Sequence, residues 1–123
     1  MSSQFIFELK EGYLQLNITG TYNKDVFLSL PDKIKVKCEK EKIFKILVNG
    51  LDLKKANLST TDRFFLGEKF GKEFRYSIHI AVVWPAKYID KFAETVALNR
   101  GGKMFVTGDF ETAEEWLLNT RNK

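Results

Sequence analysis

The sequence predicts an α/β fold on a mixed sheet of about five strands, and three observations carry that reading. Two alternating segments, Phe5 to Leu9 and Leu14 to Ile18, flank Glu11-Gly12 as the arms of a hairpin would. Two later segments, Ile43 to Val48 and Ile78 to Trp84, are almost continuously apolar, as strands covered on both faces are. Between and after them the apolar spacing changes from two residues to three and four, the helical period. The predicted order is β β α β α β α β α. A hairpin feeds alternating units whose later strands run parallel.

Taken in order, Phe5, Phe7 and Leu9 alternate with Ile6, Glu8 and Lys10, and Leu14, Leu16 and Ile18 alternate with Gln15, Asn17 and Thr19 before Gly20. From Asn23 to Lys42, Phe27, Leu30, Ile34 and Cys38 fall at helical intervals, with an interruption at Pro31. Within that stretch Ile34 to Lys37 also alternates as a strand would. Ile43 to Val48 is the central strand. Ser59, Thr60, Thr61 and Asp62 then offer several N-caps to a helix over Thr61 to Phe74, and Asp62 sets negative charge at its start. At 100° per residue Leu66, Phe70 and Phe74 share a stripe with Gly67 and Gly71, Phe64 lies at its edge, and Phe65 falls opposite, among Lys69 and Lys72. Phe65 is therefore expected to be more exposed than the other aromatics, either as a single surface ring or as a contact for a partner, a lipid or an apolar ligand.

After the strand Ile78 to Trp84, Pro85 suits a helix start. A helix is expected over Ala86 to Arg100, with Tyr88, Ile89, Phe92, Ala93, Val96 and Ala97 on one face and Gly101-Gly102 ending it. A short strand over Lys103 to Thr107 follows. Asp109 then caps a final helix burying Ala113, Trp116 and Leu117, before a frayed tail at Arg121 to Lys123.

With 123 residues, 44% of them hydrophobic and 29% charged, the chain reads as one ordinary globular domain over 1–123, and disordered, collagenous and membrane-spanning classes fall away. Residues 1–30 carry no export signal, and the single Cys38 fits a reducing cytoplasm. Net charge +4 and a pI near 9.1 identify no partner by themselves. Lys33, Lys35, Lys37, Lys40, Lys42 and Lys45 form a basic stretch interleaved with Glu39 and Glu41, read as a solvated face rather than a nucleic-acid site. No catalytic residue, metal-ligand spacing or cofactor motif is legible. His79, the only histidine, points away from its neighbours Ile78 and Ile80 as a surface or satisfied side chain, and the glycines of "NRGGK" stand at the wrong end of a helix for a phosphate loop.

Four stretches, "TDRFFLGEKF" (Thr61 to Phe70), "IAVVWP" (Ile80 to Pro85), "KFAETVALNRGG" (Lys91 to Gly102) and "FETAEEWL" (Phe110 to Leu117), occur in this order. Together they resemble the SpoIIAA-like branch of the STAS superfamily, the sulfate-transporter and anti-sigma-factor-antagonist domains, from about Gly12 to Leu117. The resemblance implies about four helices packed mainly on one face of the sheet. It also implies a non-enzymatic, cytoplasmic protein-interaction module without a cofactor. In the antagonists a serine at the start of the helix after the central strand is phosphorylated, which switches binding. The corresponding junction here is Ser59 to Asp62, but the antagonists carry Asp-Ser-Ser-Gly or a close variant there, so no single acceptor carries over. These hydroxyls are either a phospho-switch or a helix cap. Arg63 and Arg100 lie within the matched stretches and are candidate contacts for an anion or a partner, together with Phe64 and Phe65. A second reading, also suggested by the resemblance, is a carrier of an apolar molecule or a peripheral membrane binder; the protein is expected as a monomer or homodimer.

Overall fold

The computed structural model describes residues 3–74, 77–100 and 103–119; burial follows the alternation along its first two strands except at Leu9, which is exposed, and Gln15, which is buried. Strands β1 (Gln4–Leu9) and β2 (Leu14–Thr19) pair antiparallel in the register Phe5 to Ile18 and Phe7 to Leu16, so their apolar residues share one face. Gly12 in the connecting turn has φ +90°, a conformation that a residue with a Cβ rarely adopts. Strands β3 (Lys45–Asn49), β4 (His79–Val83) and β5 (Lys103–Thr107) then add in parallel, giving the order β1-β2-β3-β4-β5. Ile46 sits beside Leu14 and Ile80, and Ile80 beside Met104, a continuous apolar row across four strands.

Four helices cover that row. In α1 (Lys24–Leu28) the Asn23 side chain accepts from the Val26 N–H, and α2 (Leu30–Glu41) follows after a break at Ser29; the interruption expected at Pro31 falls two residues earlier, because proline fits the first turn of a helix and Pro31 sits in that of α2. Cys38 is fully buried on α2. Helix α3 (Thr60–Phe74) buries Leu66, Gly67, Phe70, Gly71 and Phe74, the stripe expected from its spacing. Gly71 is required by contact: a Cβ there would stand 2.7 Å from the Ala97 carbonyl oxygen and from Arg100 Cβ. Ala97 and Arg100 belong to or directly follow α4 (Phe92–Asn99), so α3 and α4 touch backbone to backbone. Among the described residues α5 (Phe110–Asn119) is the one α-helix on the other face, where Ala113 and Leu117 meet Leu47, Ala81 and Val83. The mixed sheet with helices mainly on one side is as expected.

One expected element is different. The helix drawn over Ala86 to Arg100 is a 3₁₀ turn at Ala86–Tyr88 followed by α4, because Ile89 is extended (φ −88°, ψ 124°) and Lys91 is left-handed (φ 65°). Asp90 stabilises the break by accepting the Phe92 N–H at 3.0 Å. Val96 and Ala97 remain buried as expected, whereas Phe92 is exposed at the helix start. His79 is buried, 4% exposed, rather than at the surface. The side chain of Ala93, the Gly101-Gly102 stop and the Arg121 to Lys123 tail lie outside the described residues.

Candidate functional site

The parallel strands β2 to β5 all end on one side of the sheet, and the connections that leave them there assemble the start of α3. Trp84, just after β4, lies so close over Gly50, just after β3, that a Cβ on Gly50 would stand 2.3 Å from the indole ring. Its indole N–H donates to the Ala56 carbonyl at 2.8 Å, which ties the Gly50–Ser59 connection to the sheet. Thr21 bridges to Lys54 in the same connection, and the Tyr22 N–H donates to the Lys54 carbonyl at 2.9 Å. The start of α3 is thus held from three directions.

Ser59 is its N-cap: the hydroxyl oxygen accepts the Asp62 N–H at 3.1 Å. Thr60 and Thr61 follow in the first turn and are exposed. Asp62 accepts the Tyr22 hydroxyl at 3.0 Å and faces Lys24 at 3.8 Å. Burial, with the Asp62 hydrogen bond and charge, raises the Tyr22 phenol above its usual range. Arg63 donates to the Asn57 side chain at 3.0 Å and forms an ion pair with Asp90. The Asp90 carboxyl is held below the usual carboxylate range, first by the Phe92 N–H and further by Arg63. Arg63 therefore links the start of α3 to the break before α4.

Phe64 and Phe65 meet edge to face at 5.6 Å, and Lys24 lies over the Phe65 ring at 5.7 Å. Phe65 is 42% exposed, the most exposed aromatic side chain among the described residues. Arg100 lies elsewhere, at the end of α4, where it pairs with Glu68 of α3 at 3.2 Å. The structure therefore brings Ser59 to Phe65 together at one helix end and leaves Arg100 apart.

Behind Arg63 is an apolar cavity of about 100 Å³, walled by Phe27, Val48, Leu66, Phe70, Trp84 and Met104. Its rim carries Arg63, Asp90, Lys91 and Glu94. The residues not singled out from sequence are Trp84, Asp90, Lys91 and Glu94. Asp90, two residues before Phe92, carries a turn-forming signal, but the apolar spacing of Tyr88, Ile89 and Phe92 overrode it. The other three act across the fold and have no local signature.

Two solved structures resemble this architecture over nearly its whole length. An anti-sigma factor antagonist from Mycobacterium paratuberculosis superposes with TM-score 0.61 at 10% identity, covering 94% of this chain and 93% of that one. An uncharacterised protein with a SpoIIAA-like fold from Shewanella loihica superposes with TM-score 0.56 at 19% identity, covering 94% of each chain. The fold is SpoIIAA-like. No protein-family model matches the sequence, and no curated protein does. Within the SpoIIAA-like fold, the candidate site occupies the end of the sheet where the parallel strands terminate, the usual position for function in open α/β sheets.

Proposed function

We propose that the protein is a non-enzymatic regulatory interaction module of STAS type that engages a protein partner through the start of α3. The observation that carries this reading is the exposure of Thr60, Thr61 and Phe65 on a helix end otherwise fastened by Ser59, Tyr22 and Arg63. A surface that is rigid yet exposes hydroxyls and an aromatic ring suits switchable docking. Because Ser59 is engaged as the cap, Thr60 and Thr61 are the freer phosphoacceptors. A phosphate there meets first-turn amides and adds about two negative charges to the docking face. The likeness to an anti-sigma factor antagonist supports this choice of class.

The test is capture of a partner from the native lysate with wild type, Thr60→Glu and Thr61→Glu. The expected result is a changed captured set with the domain still folded; identical capture by all three would count against the reading. A second reading, carriage of a small apolar molecule, is favoured by the cavity behind Arg63, whose size suits a single ring or a short acyl group. Native mass spectrometry of protein from its own cells separates the two. A mass excess lost on denaturation favours the carrier, and one of about 80 Da that survives and maps to Thr60 or Thr61 favours the switch.

A further inference from the structure

Among the described residues the outer edge of β1 is open, and α2 sets a row of lysines beside it. The Lys10 N–H donates to the Tyr13 carbonyl at 2.9 Å, so Lys10 and Tyr13 form a hydrogen-bonded pair of the β1–β2 ladder. Antiparallel pairs alternate, and the register then makes Glu8 with Gln15 and Ile6 with Asn17 the next bonded pairs. The backbone N–H and C=O groups of Phe5, Phe7 and Leu9 consequently point away from β2. No other group among the described residues bonds to them. Six residues of strand edge are thus presented without a bulge or a proline.

Between this edge and α2 runs an open groove of about 660 Å³, floored by Phe5 and Phe7 and lined along α2 by Lys33, Val36, Lys37 and Lys40. Lys33 lies over the Phe5 ring at 5.3 Å and Lys37 over the Phe7 ring at 5.9 Å. The lysines therefore keep step with the strand: the four residues from Lys33 to Lys37 advance about 6 Å along α2, close to the roughly 6.7 Å between alternate strand residues. Lys37 also faces Glu41 at 3.4 Å, but neither Lys33 nor Lys40 has an acidic partner among the described residues. The groove's one acid, Asp32, faces Lys69 at 3.9 Å. On the opposite face of β1, Ile6 is exposed.

We propose that the β1 edge, with Lys33, Lys37 and Lys40, docks an acidic extended peptide segment of a partner protein, which adds to the sheet as a sixth strand. Main-chain groups of Phe5, Phe7 and Leu9 supply the ladder, carboxylates at alternate positions meet the lysines, and the intervening apolar residues lie beside Ile6. Charge selects this occupant over a second copy, because pairing β1 with itself about a two-fold axis would bring two sets of α2 lysines together. An anionic membrane would satisfy the lysines but leave the strand edge unpaired. The surface shares no residue with the start of α3, so it stands or falls separately from the function proposed above.

The test uses a fluorescent peptide alternating Glu with Val and Thr, titrated with the full chain at low ionic strength and read by anisotropy. Saturable binding is expected, weakened about ten-fold or more by Lys33→Glu combined with Lys37→Glu and by Leu9→Pro, which removes one outward N–H from an exposed position. The same peptide with Lys in place of Glu should not bind, and the bound acidic peptide should slow amide exchange at Phe5, Phe7 and Leu9. Absence of saturable binding, or binding that both variants leave unchanged, overturns the proposal. Flotation of the protein with phosphatidylserine vesicles without peptide binding would assign the lysines to a membrane. Self-association abolished by Leu9→Pro would assign the edge to a second copy, and either outcome overturns the proposal too.

Discussion

The two edges of the sheet are managed in opposite ways. At β5 the outward N–H of Val106 donates to the Glu94 carboxylate at 2.6 Å, and its carbonyl accepts from the Lys91 ammonium. Lys91 and Glu94 also face each other at 3.2 Å, so the edge is closed by a small polar cluster from the start of α4. At β1 the corresponding backbone groups meet no side chain among the described residues, and the lysines of α2 stand beside the strand over the Phe5 and Phe7 rings. An exposed edge invites strand addition, and a protein blunts it wherever addition is harmful. The contrast teaches that closing β5 depends on a particular backbone conformation. With Ile89 extended and Lys91 left-handed, two side chains three residues apart reach the N–H and the C=O of the same residue, Val106.

That comparison breaks most sharply at Gly71. A Cβ there meets the backbone of α4, so Gly71→Ala should push α4 off the sheet, cost about 2–3 kcal/mol in urea unfolding and speed amide exchange at Val106. Glu94→Ala removes the acceptor together with the Lys91 ion pair and leaves the half-buried Val106 N–H unsatisfied. The expected loss is about 1–2 kcal/mol, with new self-association by sedimentation velocity because a second edge is now open. Ser59→Ala removes a cap remote from both edges and should cost about 1 kcal/mol without altering Val106 exchange. Leu9→Pro, acting on a donor that no group among the described residues uses, should change stability by no more than about 0.5 kcal/mol. If it costs as much as Glu94→Ala, the β1 edge is not open in the sense described.

A pH series adds the smallest effect under neutral conditions. Cys38 is on the buried face of α2, and burial pushes its thiol from 9.0 up to about 12, with Glu39 adding to the shift. A pKa raised on folding means that the folded state favours the neutral thiol. Its contribution to stability is fully present below about 9 and is lost as pH climbs toward 12. Denaturant midpoints should be insensitive to this group up to pH 9 and fall above it, and Cys38 should resist alkylation at neutral pH.

Much of the architecture is legible in the sequence, and the reason is local periodicity. The stripe of Leu66, Phe70 and Phe74 with Gly67 and Gly71 needed only 3.6-residue spacing, and the hairpin needed only alternation and Gly12. The break at Ile89 to Lys91 was not legible. Its apolar residues kept helical spacing, and the forces that unwind it, the Arg63 to Asp90 pair and the hold of Lys91 on Val106, come from elsewhere in the chain. The same holds for the candidate site. Ser59 to Phe65 could be singled out as a capped helix start bearing an unusual aromatic. The cavity behind it could not, because Phe27, Val48, Trp84 and Met104 converge only once the sheet has formed. Of the two readings open for His79, a surface or a satisfied side chain, the first does not hold, since alternation fixed which way it points but not that it would be buried there.

The two tryptophans stand on opposite sides of the sheet. Trp84 walls the apolar cavity and is hydrogen-bonded to Ala56, whereas Trp116 of α5 is stacked on Phe105 at 5.3 Å. The molecule thereby carries two optical reporters with separate fields of view. Emission from a Trp116→Phe variant would follow events at the cavity and the start of α3, and emission from a Trp84→Phe variant would follow the α5 side. Occupancy of one face could be watched while the other serves as an internal reference.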